Sequence, residues 1–386
     1  QYGHREIRLA YLSSDFREHA VGSAIAELIE RHDKTKFHTI GISYRAAPES
    51  DLQARLRRNF GTFIDVQGMS DFEVATLLRE REVDVAVDLN GHTNGGRPGI
   101  FALRPAPVQV NYLGFSGTTG ADYMDYVLAD RIVIPEEHES YYSEKIVRLP
   151  DAYLPLDSTR TFAARAPTRA EMGLPEAGFV FCAFNTSFKI SPDVFSIWMR
   201  LLGKVQGSVL WLNASNAPAP RNLRGEAKRR GIAPERLVFA SKMRLDEHLA
   251  RHQQADLFLD TLPYNAHTTA SDALWAGLPV LTCMGSTFAG RVAASLLHTV
   301  GLPELVTHSP EEYEQRALEL ATMPTLLAGV RTKLARNRTS HALFDTDRFR
   351  RHVESAYVTM WEKQQRGDPP AGFAVEPVER SSLHQP

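Results

Sequence analysis

The sequence predicts an α/β protein built from two doubly wound domains, each a parallel sheet covered by helices. Three observations predict it. Short apolar, β-rich runs alternate with amphipathic helical runs along most of the chain. At 386 residues the chain is long for a single hydrophobic core. The alternation is interrupted once, at residues 155–177, where Asp157-Ser158-Thr159-Arg160 and Ala166-Pro167-Thr168 carry no periodicity.

Taken in order, strands are expected at residues 8–13, 37–43, 62–66, 83–89 and 108–113, with shorter apolar runs at 126–128, 132–134 and 146–149. Helical patterns fall at 24–31 and at 71–80, the latter preceded by Ser70 as a capping residue. Beyond the linker a second series begins. Strands are expected at 179–184, 209–212, 237–239, 257–259 and 280–282, and helices at 192–205, 222–230, 245–254, 269–276 and 289–300. Long helical patterns cover 310–334 and 348–363, and from Asp368 the chain reads as a loose tail. The domain boundaries expected are 1–155, a linker at 156–177, 178–345, a C-terminal helix at 346–367 and a tail at 368–386.

The hydrophobic fraction of 43% and charged fraction of 23% are ordinary for globular enzymes. A net charge of −2 argues against a protein that binds nucleic acid or membrane over its whole surface. Cys182 and Cys283 both sit in apolar runs and read as buried, reduced thiols. No metal-ligand spacing of His and Cys appears, so no metal site is expected. No stretch approaches the roughly 20 apolar residues of a membrane span. The first residues lack an apolar signal region, so a cytoplasmic location is expected. The chain opens on Gln1 rather than Met, as a piece of a longer protein would.

Open α/β sheets bind ligands at the carboxyl ends of their strands, and that is where the candidate residues lie. In Leu259-Asp260-Thr261-Leu262-Pro263-Tyr264-Asn265-Ala266-His267-Thr268-Thr269, a strand ends, a loop follows, and His267-Thr268-Thr269 opens a helix. The first amides of a helix lack intrahelical partners and face the positive end of its dipole, so a diphosphate is stabilised there. Asp272, a turn further on the same face, could accept from ribose hydroxyls. Plain capping by threonine accounts for the same residues. Lys189 stands at the end of the strand 179–184, just before a helix with Pro192 in its first turn, where it could neutralise a leaving diphosphate; a surface lysine is the simpler account. His19 closes the strand-to-helix stretch Ser13-Ser14-Asp15-Phe16-Arg17-Glu18-His19 and could orient a sugar or move a proton. Glycine-rich loops follow two more strands, at 90–97 and 113–120, without the spacing of a dinucleotide fingerprint. His248 and Arg251 share a helical face and could meet a nucleobase or a phosphate, or simply solvent.

Together these segments resemble the catalytic region of the protein O-GlcNAc transferase family, over roughly residues 8–367. The markers are the stretch ending at His19, Phe101-Ala102-Leu103-Arg104-Pro105-Ala106-Pro107, Gly117-Thr118-Thr119-Gly120-Ala121, Lys189 after Phe184-Asn185, Ala266-His267-Thr268-Thr269 through Asp272, Leu274-Trp275-Ala276-Gly277, and Arg291-Val292-Ala293-Ala294-Ser295. The resemblance implies a GT-B fold, two facing Rossmann-like domains with an inter-domain cleft. It implies inverting, metal-independent transfer of GlcNAc from UDP-GlcNAc to Ser or Thr hydroxyls of proteins, with no cofactor. The first lobe would serve the acceptor and the second the nucleotide sugar. Lys189, Thr268 and Thr269 would meet the diphosphate and Asp272 the ribose. His248 and Arg251 would flank the uracil and phosphates, with Thr186, Tyr264 and His267 also in the donor site. His19, Leu113 and Gly114 would lie near the sugar and the attacking hydroxyl. Tetratricopeptide repeats usually precede this region in the family and recruit protein acceptors.

The chain also departs from the animal enzymes. Phe188 stands where tyrosine is usual, Thr186 where a glutamine would contact phosphate, Leu245 for a lysine at the nucleoside, and Tyr264 for a smaller cysteine beside the sugar. A SPINDLY-like O-fucosyltransferase using GDP-fucose is the nearest rival. A catalytically silent module that binds a nucleotide sugar or a protein is another.

Overall fold

In parallel sheets covered on both faces, strands become nearly continuous apolar runs, because neither face meets water. Ile7–Ser13 (β1), Phe37–Ser43 (β2), Val85–Asp88 (β4), Val108–Asn111 (β5), Tyr126–Asp130 (β6) and Lys145–Leu149 (β7) are largely of this kind, with β4 and β5 wholly buried, whereas the edge strand Thr62–Asp65 (β3) is partly exposed along its length. The computed structural model describes residues 3–46, 48–214 and 216–378. The chain divides into two compact units, one of residues up to Thr159 together with those from Ala342 onward, the other of Arg160–His341.

With Phe373–Ala374 (β14) added, the first unit holds an eight-stranded sheet in the order β14-β7-β6-β5-β4-β1-β2-β3, every pair parallel. Side chains alternate across it. Ala10, Leu12, Ile40, Ile42 and Ala86 join Val74, Leu78, Ile100 and Phe101 in one core. On the other face Tyr11 meets Tyr357 of the long helix Thr346–Gln365, ring centroids 6.3 Å apart. Tyr11 also hydrogen-bonds His32, which reaches Glu354 on the same helix at 3.0 Å. Glu27 is buried and accepts from Ser158 N at 2.6 Å and from Thr346 Oγ1 at 2.7 Å. One carboxylate thus anchors the chain where it leaves the unit and where it returns.

The second unit holds a six-stranded parallel sheet, built from Val180–Ala183 (β8), Val209–Asn213 (β9), Leu237–Ala240 (β10), Leu257–Leu259 (β11), Val280–Cys283 (β12) and Val306–Thr307 (β13), in the order β10-β9-β8-β11-β12-β13. Trp198, Trp211, Phe181 and Phe184 fill its core. Trp198 donates to the Tyr313 hydroxyl at 3.1 Å, which in turn donates to the carbonyl of Asp260 at 2.9 Å.

In both sheets the chain winds one way and then the other. The strand order reverses between β1 and β4 in the first and between β8 and β11 in the second. Such switch points open crevices at the carboxyl ends of the flanking strands. The loops carrying His19 and Lys189 follow β1 and β8, and the loop that ends at His267 follows β11.

Four elements differ from expectation. Residues 132–134 are not a strand: Asp130 Oδ1 accepts from Ile132 N at 2.8 Å and Val133 N at 3.0 Å, turning the chain. The pattern at 310–334 is two helices, Pro310–Thr322 and Pro324–Ser340, because proline forces Met323 out of helical geometry. The helix Asp51–Asn59 carries too few apolar residues to show a stripe; Gln53 and Leu56 are its buried positions. The tail is not loose throughout: Phe373–Ala374 (β14) pairs with Val147 and Arg148 of β7. Among the described residues no helix is long and apolar enough to cross a membrane. Cys182 and Cys283 are buried free thiols.

Candidate functional site

In the second unit, β8 and β11 are adjacent and parallel, so the loops that follow them emerge side by side. Asn185 lies at the start of the first. Its Nδ2 donates to Thr261 Oγ1 at 2.7 Å, and its Oδ1 accepts from Thr269 Oγ1 at 2.5 Å. A short 3-10 turn, Ser187–Lys189, brings Lys189 back over the second loop, with Thr186 exposed at its start. Lys189 Nζ donates to the carbonyl of Asn265 at 2.9 Å and lies 4.0 Å from the centroid of the Tyr264 ring. Tyr264 stacks on His267, centroids 5.0 Å apart. The structure therefore brings Lys189, Tyr264, His267 and Thr269 into one cluster at the head of the helix Thr268–Trp275.

The electrostatics of this cluster follow from burial. Loss of water pushes Lys189 down to about 8, opposed by the charge of Asp260. The lysine is still cationic at neutral pH. Burial, helped by Lys189, lowers His267 to about 3, so that ring is neutral. The first amides of the helix have no helical carbonyl to donate to. A fixed cation and the N-terminus of a helix opened by two threonines meet at one place, which is the composition of an anion site, with the Thr269 hydroxyl turned to Asn185.

Asp272 lies on the same helix, one turn in, and is not an isolated carboxylate. It is paired with Arg160 at 2.5 Å, and both side chains are nearly buried. The guanidinium groups of Arg160 and Arg338 lie 5.5 and 5.2 Å from the Trp275 ring. A ribose at Asp272 would share the carboxylate with Arg160. Burial raises Asp272 and Arg160 opposes that rise.

His248 and Arg251 are placed differently from each other. His248 is half-buried, its ring 5.4 Å from Phe184, and burial drives it down to about 2. It is a neutral ring beside the end of β8. Arg251 is 3% exposed. Its guanidinium lies 4.5 Å from the Phe184 ring and donates to the carbonyl of Ser241 at 2.7 Å, so it is held inside the unit. Leu245 begins the same helix and is 42% exposed.

In the first unit the loop after β1 packs on the loop after β4. Asn90 accepts from Ser14 N at 2.8 Å and donates to Ser14 Oγ at 3.0 Å and Asp15 Oδ2 at 3.2 Å. His19 caps the helix Ala20–Arg31: its Nδ1 accepts from Val21 N at 3.3 Å. A neutral ring whose Nδ1 accepts carries its proton on Nε2. Burial lowers His19 below its ordinary value, with Asp15 opposing, which favours that neutral form. In this geometry Nε2 donates hydrogen bonds rather than taking protons. After β5, Leu113 adopts a left-handed φ of 72°. Gly114 is obligatory, since a Cβ there would lie 1.9 Å from the carbonyl of Leu89. The threonines of Gly117-Thr118-Thr119-Gly120 are held by the buried Glu144, which accepts from both hydroxyls at 2.6 Å.

Sequence reasoning missed the residues that build the cluster: Asn185, Asp260, Asn265 and Arg160. A carboxylate directly after an apolar strand was the available signal for Asp260. In the first unit, a hollow of about 420 Å³ at the amino edge of the sheet, lined by His4, Arg8, His38 and Thr62 among others, lies at the end opposite the loops after β1, β4 and β5.

Residues 2–167 and 162–353 match the model of a family described as Glycosyl transferase family 41. The solved structure of a mutant O-GlcNAc transferase from Thermobaculum terrenum is similar with a TM-score of 0.88 at 35% identity, covering 94% of this chain and 69% of that one. This likeness makes the fold GT-B, two Rossmann-like parallel sheets. An Arabidopsis thaliana protein, "Probable UDP-N-acetylglucosamine--peptide N-acetylglucosaminyltransferase SEC", is 34% identical over 97% of this chain and 39% of its own length. A Solanum lycopersicum relative with the same description and the name SPINDLY is 32% identical over 95% of this chain and 40% of its own. The chain thus spans about two fifths of the length of these curated relatives.

Proposed function

Since the chain belongs to glycosyl transferase family 41, we propose that it carries the catalytic region of an inverting, metal-independent enzyme that transfers GlcNAc from UDP-GlcNAc to Ser or Thr hydroxyls of proteins in the cytoplasm. The observation that carries the reading is the cationic cluster at the head of the helix Thr268–Trp275, with Lys189 held by Asn265 and Tyr264. The names of the plant relatives support the donor and the peptide acceptor.

In this reading the acceptor oxygen forms a bond to the anomeric carbon while the bond from that carbon to the diphosphate oxygen breaks. The electron pair stays on the diphosphate. Lys189, the first amides of the helix, Thr268 and Thr269 stabilise that charge without help from a metal. Asp272, shared with Arg160, takes the ribose, and the neutral ring of His248 lies beside the base, with Thr186 at the phosphates. Arg251 supports this wall from behind through Phe184. His19, Leu113 and Gly114 are assigned to the sugar and acceptor, His19 as a hydrogen-bond donor. Tetratricopeptide repeats elsewhere in the protein would recruit its acceptors.

The test is a donor screen. The purified protein is incubated with UDP-GlcNAc or GDP-fucose and a mixture of peptides, with intact-mass detection. A mass gain from UDP-GlcNAc, with tighter calorimetric binding of UDP than GDP, is expected. The reverse order would make it a fucosyltransferase. UDP binding without transfer or donor hydrolysis would make it a silent module.

A further inference from the structure

We propose that Asp260 is a positioning residue for the transfer, a buried carboxylate that closes the loop supplying Lys189 with its carbonyl partner and keeps that lysine in its cationic form. This rests on the reading of Lys189 given above. The geometry is specific. Asp260 is 0% exposed and directly follows β11. Its Oδ1 accepts from Thr261 N at 2.7 Å and from Ala266 N at 2.6 Å, residues near the start and the end of the loop. One oxygen therefore pins both ends of the segment that presents Tyr264 and Asn265 to Lys189. Its Oδ2 accepts from Thr282 Oγ1 on β12 at 2.7 Å, and its carbonyl accepts from Tyr313. The clamp is tied to the neighbouring strand and to the helix Pro310–Thr322, which leaves the carboxylate little freedom to move.

The titratable groups facing this carboxylate come from three elements. They are Lys189 from the turn after β8, Cys283 from β12 and Tyr313 from the helix Pro310–Thr322, while His267 at the head of its helix faces Lys189. Burial keeps Cys283 and Tyr313 protonated and His267 neutral. That leaves Lys189 as the cation of the set. Burial raises Asp260 to about 7, against its hydrogen bonds from Thr282, Ala266 and Thr261 and the charge of Lys189. Above neutrality, where Lys189 begins to lose its proton, the carboxylate is anionic and opposes that loss.

Asp260→Asn separates shape from charge. An amide oxygen can still accept from Thr261 and Ala266, and the amide nitrogen can donate to Thr282. Two readouts are compared in wild type and variant. One is the pH profile of kcat/KM with UDP-GlcNAc and a peptide acceptor. The other is the pH dependence of Lys189 acetylation by acetic anhydride, followed by peptide mass spectrometry. In the wild type both inflect near 8. In Asp260→Asn both move to lower pH by on the order of one unit, and activity at pH 6.5 falls far less than at pH 8. If Asp260→Asn does not fold, Thr282→Val weakens the ionised carboxylate instead, and a smaller shift in the same direction is expected. Unmoved inflections in the folded variant would overturn the proposal. Wild-type protein that neither binds UDP nor transfers would sink the functional reading alone, because the acetylation profile still reports the link between Asp260 and Lys189.

Discussion

The ammonium of Lys189 lies 4.0 Å from the centroid of the Tyr264 ring, and the same ring stacks on His267. Half-exposed tyrosine would be a poor choice if it served only as a wall. As a π-face for a cation it restrains the lysine alongside the Asn265 carbonyl, which contributes about 0.5–2 kcal/mol. Tyr264→Phe is expected to keep kcat/KM near wild type, whereas Tyr264→Leu loses roughly 2- to 30-fold. Steady-state kinetics decide it; equal losses in the two variants would count against the ring.

Lys189→Ala removes the charge opposite the leaving group. The loss is expected to be roughly 3–4 kcal/mol of transition-state stabilisation, about 100- to 1000-fold in kcat. The urea midpoint should not fall, because a desolvated cation contributes little to folding. Unchanged turnover in a folded variant would remove Lys189 from the mechanism.

Arg160 and Asp272 form a nearly buried pair at 2.5 Å. Removing either partner strands the other, at a cost of about 3–5 kcal/mol. The double change of Arg160 and Asp272 to alanine should therefore cost less than the two single changes added together. Urea denaturation of the full cycle measures the coupling. Additive losses would show that the pair is not an energetic unit.

Gly114 and Gly120 differ in what constrains them. At Gly114 an added Cβ meets backbone at 1.9 Å, while at Gly120 it meets open space and only the φ of 67° is strained. Gly120→Ala should cost about 1–2 kcal/mol. Gly114→Ala should cost more, since the loops after β4 and β5 must move apart. Thermal unfolding of the two variants compares them directly.

His19 has its Nδ1 occupied by Val21 N, and burial lowers its pKa. The neutral Nε2–H form therefore dominates at pH 7. The midpoint of its protonation, and with it the loss of the helix cap, lies below the ordinary histidine value of about 6.5. Long-range nitrogen–proton NMR should show the Nε2–H tautomer at pH 7.5. A proton on Nδ1 would restore His19 as a candidate base.

The two sheets were legible because buried parallel strands leave continuous apolar runs, as at β4, β5 and β8. Lys189, Thr268 and Thr269 were legible because they sit where such strands end. What surrounds them was not. Asn185 and Asp260 are 75 positions apart in sequence and 3.5 Å apart in space, a contact set by β8 and β11 lying side by side. The pairing of Asp272 with Arg160 was hidden for the same reason, since Arg160 lay in a stretch with no periodicity. The inward turn of Arg251 could not be read from helical spacing, because His248, three residues before it, is only half-buried.

The return of the chain to its starting sheet bears on synthesis. Glu27 waits for Thr346, and β7 waits for β14, so the first half to leave the ribosome is the last to be completed. The segment 160–341 has all its strands available earlier and can close its own core first. Until the helix Thr346–Gln365 has emerged, the face of β1 bearing Tyr11 lacks that cover, and nascent protein would need shielding there.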